Sequence, residues 1–213
     1  MRSMIVLILV LAVVLVVMLT TSRRRTNTPP RAEASQDSDD GGRLPTDQMA
    51  SDRVPLKLPL VEPKIVVTKS QRQLALYSAG KVARIYRIGL GFNPVDDKTR
   101  EGDGCTPEGK FYIFTRNGRS AYYLSLGISY PNIENAARGL RDGLITPAQY
   151  DRIVSANRRR IMPPQDTTLG GQIYIHGRGA QSDWTWGCIA LEDRDMRELF
   201  DAVPVGTEVI IEH

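Results

Sequence analysis

From residue 64 onward the sequence predicts a mainly β fold with short helices, because short apolar runs separated by turn residues dominate this part of the chain and only three of its segments carry helix signals. The predicted strands occupy residues 65–68, 73–77, 82–88, 110–114, 122–126, 172–175 and 209–211. Apolar alternation broken by turns at this spacing is typical of antiparallel hairpins. We therefore expect a β-sandwich or a partly open barrel.

Helix-capping residues mark an insertion between the central strands and the C-terminal part of the chain. Residues 146–149, Thr-Pro-Ala-Gln, have the pattern of a capping box with proline in the first turn, which predicts a helix to about residue 157. Residues 132–140 are its predicted partner, so the insertion covers about 132–166. It either walls a cleft or serves as scaffold. A third helix, capped by Glu192 or Asp193 and predicted to run to about Ala202, would support the cysteine segment before it.

An uncharged apolar run of 16 residues, Met4–Leu19, lies near the start of the chain. As a helix it spans about 24 Å, and with the polar residues that follow it approaches the ~30 Å of a bilayer core. No small-x-small cleavage site is evident, which favours a retained transmembrane helix at residues 4–21 over a removed signal segment. Residues 22–63, rich in Ser, Asp, Thr, Arg and Pro, are predicted to be a disordered linker to a globular domain at 64–213.

Composition narrows the classes of function. The chain has 213 residues, of which 41% are hydrophobic and 24% charged, with a formal net charge of +4, and this suits one globular domain with extensions. The basic residues are dispersed and not interleaved with aromatic ones, so no nucleic-acid partner is expected. One of the two histidines is the C-terminal His213, so we expect no metal site, and no organic cofactor is indicated.

His176 and Cys188, twelve residues apart, are the candidate catalytic pair. A cysteine attacks carbonyl carbon as its thiolate, and a neighbouring imidazole can take the proton and stabilise the charge. The strand predicted at 172–175 would deliver His176 to its end. Gly187 permits an unusual backbone angle, so the amides of Gly187 and Cys188 could face a developing oxyanion. A core cysteine and a structural histidine are the alternative interpretation.

Two separated segments resemble motifs of one known family. His176 is followed by Thr185-Trp186-Gly187-Cys188, and residues 101–109, E-G-D-G-C-T-P-E-G, form a glycine-rich turn upstream. Both are similar to motifs of the L,D-transpeptidase catalytic domain (YkuD) family of bacterial cell-wall enzymes, and the likeness extends over about residues 64–211. The resemblance implies a YkuD-like β-sandwich or partly open barrel that carries the helical insertion.

For activity, the resemblance implies a cysteine-dependent L,D-transpeptidase that acts on peptidoglycan stem peptides through a thioacyl intermediate on Cys188. His176 would be the general base, and the backbone carbonyl of Gly177 would orient its imidazole as the aspartate of a serine triad does. One alternative is hydrolysis, by an L,D-carboxypeptidase or by an amidase that releases a wall-linked protein. Another is a wall-binding module without catalysis.

Two positions depart from the family's pattern. Trp186 stands where the residue before Gly-Cys is commonly histidine, and Ala190 stands where an arginine is often found. The acyl donor, the acceptor or both are then expected to differ from those of the best-known members. The candidate substrate-binding residues are Trp186, Thr185, Tyr130 and Thr106. Core packing is the alternative for the tryptophan and the tyrosine, and a tight hairpin connection is the alternative for Thr106.

The resemblance also implies a location, with the chain anchored in the inner membrane and the catalytic domain on the periplasmic or extracytoplasmic face. Three arginines at 23–25 follow the apolar run, and the positive-inside rule alone predicts the opposite orientation. In an oxidising compartment Cys105 and Cys188 could pair and block the nucleophile. We expect two free thiols instead.

Overall fold

The computed structural model describes residues 54–213, which contain eight strands. They are β1 Lys64–Thr68, β2 Gln73–Ser78, β3 Lys81–Arg87, β4 Gly109–Ser120, β5 Tyr123–Ile128, β6 Tyr174–His176, β7 Ile189–Ala190 and β8 Glu208–Glu212. All belong to one half-barrel sheet in the order β3-β2-β1-β8-β4-β5-β6-β7. The mainly β prediction and the partly open barrel are therefore confirmed.

The C-terminal strand is the reason that the sheet is continuous. β8 lies between β1, to which it is parallel, and β4, to which it is antiparallel. It pairs with the edge strands of two groups, β1–β3 and β4–β7, which would otherwise be two separate sheets. β6 and β7 form a second parallel pair. Hairpin reasoning predicts only antiparallel neighbours, because it considers segments that are adjacent in sequence.

Three helices lie in the described part of the chain: α1 Ile133–Arg141, α2 Pro147–Arg158 and α3 Asp193–Ala202. The predicted capping box at α2 is present, since the Gln149 amide donates to Thr146 Oγ1 at 3.3 Å and the Thr146 amide donates to Gln149 Oε1 at 2.8 Å. α1 begins with a similar reciprocal pair, Asn132 and Asn135. These side chains satisfy amides that a helix leaves free at its first turn.

The main core is formed by the strands and by α3, which buries Met196 and Leu199. α1 and α2 form a smaller cluster of their own around Ala136 and Ile153. Arg138 on α1 donates to the carboxylate of Asp97 and to the Lys98 carbonyl, both at 2.6 Å. The two insertion helices therefore support a neighbouring loop.

Residues 54–63 pack against the domain, although the sequence analysis assigns them to the linker. Leu56 and Leu60 contact the main core, and the amide of Val61 donates to Ser78 Oγ at 3.0 Å. The packed domain thus extends N-terminally of the predicted boundary. The predicted anchor at 4–21 and the linker as far as residue 53 lie outside the described residues. Within 54–213, no helix has the length and apolarity needed to cross a membrane.

Candidate active site

The parallel pairing of β6 and β7 brings His176 and Cys188 to one face of the sheet. Ile175 pairs with Ile189 and His176 pairs with Ala190, so extending the register by one position before Ile175 sets Cys188 opposite Tyr174. Side chains alternate along a strand, so the two candidates point the same way, with Cα atoms roughly 8 Å apart. Both line one open cavity of about 710 Å³. His176 is 4% exposed, and Cys188 is partly exposed.

The imidazole of His176 has a defined tautomer. Its Nδ1 lies 2.7 Å from the carbonyl oxygen of Gly177. A carbonyl oxygen only accepts hydrogen bonds, so Nδ1 carries the proton and Nε2 keeps a free lone pair. The Gly177 amide is itself held by the Tyr122 carbonyl at 3.1 Å, and a Cβ at position 177 would overlap the Asp193 carboxylate. The structure therefore requires glycine at the position whose carbonyl orients the base.

Two aromatic rings pack against this imidazole. The Tyr122 ring centroid lies 4.7 Å from that of His176 with a tilt of 33°, and Trp184 lies 5.6 Å away nearly edge-on at 67°. The sequence analysis did not identify Tyr122 as a site residue, because it was assigned to a regular strand. Its position at the tip of the β4–β5 hairpin is the signal that could have identified it.

Burial sets the charge state of the resting pair. It lowers the pKa of His176 below the ordinary value of 6.5, against the opposing effect of the Gly177 hydrogen bond. Burial also raises the pKa of the Cys188 thiol above its ordinary value of 9.0, partly offset by the Tyr174 amide and the Lys98 ammonium. Near pH 7 the pair is therefore a neutral thiol beside a neutral imidazole that can accept a proton.

The turn before the cysteine is tightly hydrogen-bonded. Gly187 has a φ of +120°, which favours glycine, and its amide donates to Thr185 Oγ1 at 3.1 Å. The Thr185 hydroxyl donates in turn to the Cys188 carbonyl at 2.7 Å. Thr185 lines the cavity but is buried. The Gly187 amide must exchange its bond to Thr185 before it can donate to an oxyanion.

The remaining predicted substrate-binding residues divide into two groups. Trp186 lines the cavity and is 69% exposed at its rim. Tyr130 and Thr106 are fully buried and are not among the residues that line this cavity. The Tyr130 hydroxyl donates to the Leu169 carbonyl at 2.9 Å, and Thr106 Oγ1 accepts from the Gly91 amide at 3.0 Å. The structure therefore places both where the alternative interpretations put them, in the core and in a tight connection.

Two further residues, Asp183 and Cys105, are accounted for by the structure. Asp183 binds the guanidinium of Arg72 through both oxygens at 2.8 to 3.1 Å. It also accepts from the Leu90 amide at 2.9 Å. Cys105 is buried, and both it and Cys188 are free thiols.

A buried lysine in the cavity wall was missed. Lys98 is 2% exposed, and its ammonium donates to Asp103 Oδ1 at 2.8 Å and to the Arg100 carbonyl at 2.9 Å. Burial opposes ionisation of Asp103, but hydrogen bonds from Arg100, Lys98, Thr99 and Cys105 outweigh it and lower the pKa of this carboxyl below 3.8. The spacing of a lysine five residues before the aspartate of the glycine-rich turn is the available sequence signal. Within 54–213, no cluster of three His, Cys, Asp or Glu side chains could hold a metal ion.

Comparison with known proteins adds a family match. The sequence model for the L,D-transpeptidase catalytic domain (YkuD) matches residues 62–211. No curated protein sequence matches the chain.

Among solved structures, the helical cell shape determining protein Pgp2 from Campylobacter jejuni has a TM-score of 0.50 and 22% identity over 78% of this chain and 52% of its own. An L,D-transpeptidase from Xylanimonas cellulosilytica has a TM-score of 0.42 and 18% identity over 79% of this chain and 70% of its own. One from Mycobacterium smegmatis has a TM-score of 0.43 and 12% identity over 71% and 59%, respectively. The chain spans about half the length of the Campylobacter protein, and that likeness supports the fold alone.

Proposed function

The chain belongs to the L,D-transpeptidase catalytic domain family, and on that premise we propose that it is a cysteine-dependent L,D-transpeptidase acting on peptidoglycan stem peptides. The observation that carries the proposal is the hydrogen bond from His176 Nδ1 to the Gly177 carbonyl. It leaves Nε2 unprotonated on the face of the sheet that bears the Cys188 thiol, in a cavity open to solvent. A nucleophile, a base and an orienting group are thus assembled from consecutive elements of the fold.

In the proposed mechanism, His176 Nε2 takes the thiol proton and Cys188 Sγ attacks the carbonyl that joins an L-centre to a D-amino acid. The amides of Gly187 and Cys188 donate to the oxyanion. The C–N bond then breaks, and the imidazolium gives its proton to the departing amine, which leaves a thioester. An acceptor amine attacks the thioester and loses a proton to His176. The C–S bond breaks, and the sulfur recovers that proton.

Hydrolysis, with water as the acceptor, is the second candidate function. Two side chains near the nucleophile support keeping it as an alternative. Ala190, at the position of the family's frequent arginine, is fully buried and presents no polar group to an acceptor. Trp186, at the position of the common histidine, lies at the exposed rim. Incubation of the protein with muropeptides separates the two reactions. Cross-linked dimers indicate transfer to an amine, and shortened stems that incorporate ¹⁸O from labelled water indicate hydrolysis.

The thioester is tested by intact-protein mass spectrometry after rapid mixing with a stem tetrapeptide. We expect an acyl adduct on the wild-type chain and on Cys105→Ala, and none on Cys188→Ala or His176→Ala. An adduct that survives in Cys188→Ala refutes the assigned nucleophile. If Cys188→Ala retains every biochemical and cellular effect of the wild type, the protein is a wall-binding module instead.

We also propose that residues 4–21 anchor the chain in the inner membrane with the catalytic domain on the extracytoplasmic side, where stem peptides and wall-linked proteins lie. The apolar run supports the anchor, whereas the arginines at 23–25 oppose this orientation. A reporter that is active only outside the cytoplasm, fused after His213, gives a signal if the orientation is right. A silent reporter in cells that contain the fusion protein contradicts it.

A further inference from the structure

Two exposed aromatic rings stand together, and one of them, Trp186, lines the rim of the cavity. Trp186 is 69% exposed and Phe92 is 49% exposed, and their ring centroids lie 4.8 Å apart at 89°. We call Phe92 and Trp186 the aromatic pair. Such edge-to-face contact is the preferred geometry of two aromatic rings and keeps both in place.

The backbone also holds the aromatic pair in place. The Phe92 amide donates to the Thr185 carbonyl at 3.0 Å, and the Thr185 amide donates to the Leu90 carbonyl at 3.1 Å. The far end of the Phe92 ring lies over Gly104, where a Cβ would overlap it. Two strand-like segments and a glycine therefore present the rings to solvent before any ligand arrives. A rigid exposed aromatic cluster of this kind is typical of a binding surface.

The position of the aromatic pair relative to the nucleophile indicates which part of a substrate would reach it. Trp186 precedes Cys188 by two residues, so the two Cα atoms are at most about 7 Å apart, and the indole extends further. In a stem peptide whose third residue carries the attacked carbonyl, two residues separate that residue from the sugar. Three residue-to-residue steps then lie between them and span about 11 Å when extended, a distance toward which the indole extends beyond its own Cα. The cavity of about 710 Å³ has room for the peptide, and a sugar attached to a peptide in this cavity would reach its rim.

We propose that the aromatic pair is a saccharide subsite, which packs against the C–H face of the amino sugar that bears the stem peptide. A pyranose ring has an apolar face and hydroxyls at its edge, so it can cover an aromatic ring while its polar groups stay in water. The proposal rests on the proposed function and adds a substrate element to it: the protein prefers stem peptides that are still joined to glycan. Trp186 has this role in place of the histidine that is common in the family.

The test compares two substrates that differ only in the sugar, a disaccharide-tetrapeptide and the same tetrapeptide released from its disaccharide. The quantity measured is the ratio of kcat/KM for the two substrates, using the full chain. This ratio does not depend on the fraction of enzyme that is folded, because the same preparation turns over both substrates. We expect Trp186→Ala and Phe92→Ala each to lower the ratio by about tenfold, a change of ~1.4 kcal/mol in transition-state binding. Val82→Ala, which removes an exposed apolar side chain from β3, is the matched control and leaves the ratio unchanged.

The outcomes separate this proposal from the proposed function. A wild-type ratio near one, or a ratio that the aromatic variants do not change, overturns the saccharide subsite even if the absolute rates fall. Equal losses on both substrates assign the rings to the peptide. If the wild type turns over neither substrate, the proposed function fails, and saturation-transfer NMR of peptide-free glycan with the Cys188→Ala chain decides this proposal alone. Glycan contact signals that are present with Cys188→Ala and disappear in the double variant Cys188→Ala/Trp186→Ala support the subsite. If Cys188→Ala gives no such signals, the subsite is overturned.

Discussion

Alkylation of Cys188 by iodoacetamide should depend steeply on pH, because the thiol is neutral in the resting site. Burial raises its pKa above the ordinary value of 9.0. At pH 7 less than about 1% is then thiolate, and ionisation costs at least about 3 kcal/mol. Only the thiolate reacts, so the second-order rate constant should rise about tenfold per pH unit and about 100-fold from pH 7 to pH 9.

The assay uses the Cys105→Ala chain, so that Cys188 is the single thiol, and follows the adduct by mass spectrometry across pH 6 to 10. Glutathione in the same buffers controls for the reagent. His176→Ala should keep the steep profile, because the neutral imidazole does not stabilise a thiolate in the resting state. A rate constant at pH 7 within about threefold of that at pH 9 would refute the reasoning, since it would mean that a thiolate–imidazolium pair already exists before substrate binds.

Four further predictions test other parts of the structure. His176→Ala should lower kcat by about 10³-fold in the muropeptide assay because the general base is lost, and a loss below tenfold would assign that role elsewhere. On the acid side, wild-type kcat/KM should fall as pH drops through the lowered pKa of His176 in the free enzyme, below its ordinary value of 6.5, and an acid limb centred above pH 7 would contradict this. Gly177→Ala should lower the free energy of unfolding in urea by about 1–3 kcal/mol and reduce kcat, because the added Cβ meets the Asp193 carboxylate. Unchanged values of both would show that the backbone around Gly177 can shift freely. Lys69→Met should lower the free energy of unfolding by roughly 3 kcal/mol, because the Lys69 ammonium is fully buried and bound to four oxygen acceptors. The control is Lys64→Met. It should change the free energy of unfolding by less than about 1 kcal/mol, because the Lys64 side chain is exposed. Equal effects of the two lysine variants would refute that distinction.

Local patterns predicted most elements of the fold within a few residues. The capping box at residues 146–149 predicted the start of α2, and turn residues around 70 and 79 separated β1, β2 and β3. β4 was predicted to have five residues, but it continues to Ser120, where the chain turns back as β5 and completes a long hairpin. Its outer half is polar and exposed, so it carries no alternating apolar signal.

Chemistry at the candidate site could be anticipated where it depends on residue type and spacing along one segment. A histidine at a strand end and a cysteine after glycine indicated the pair. Tyr122 and Lys98 were missed because each reaches the site from a different segment of the chain. Tyr130 and Thr106 were expected near substrate, but buried hydrogen bonds to distant carbonyl and amide groups hold them elsewhere.

The sequence by itself therefore determined the family, the strand and helix segments, and the two residues that can act as nucleophile and base. The tertiary structure alone decided that β8 joins the two halves of the sheet, and that a parallel β6–β7 pair sets His176 and Cys188 on one face. It also decided the burial that lowers the pKa of His176 and raises the pKa of Cys188. The physical reason is that strand pairing and burial depend on contacts between segments far apart in the chain, whereas propensity and spacing are properties of neighbours.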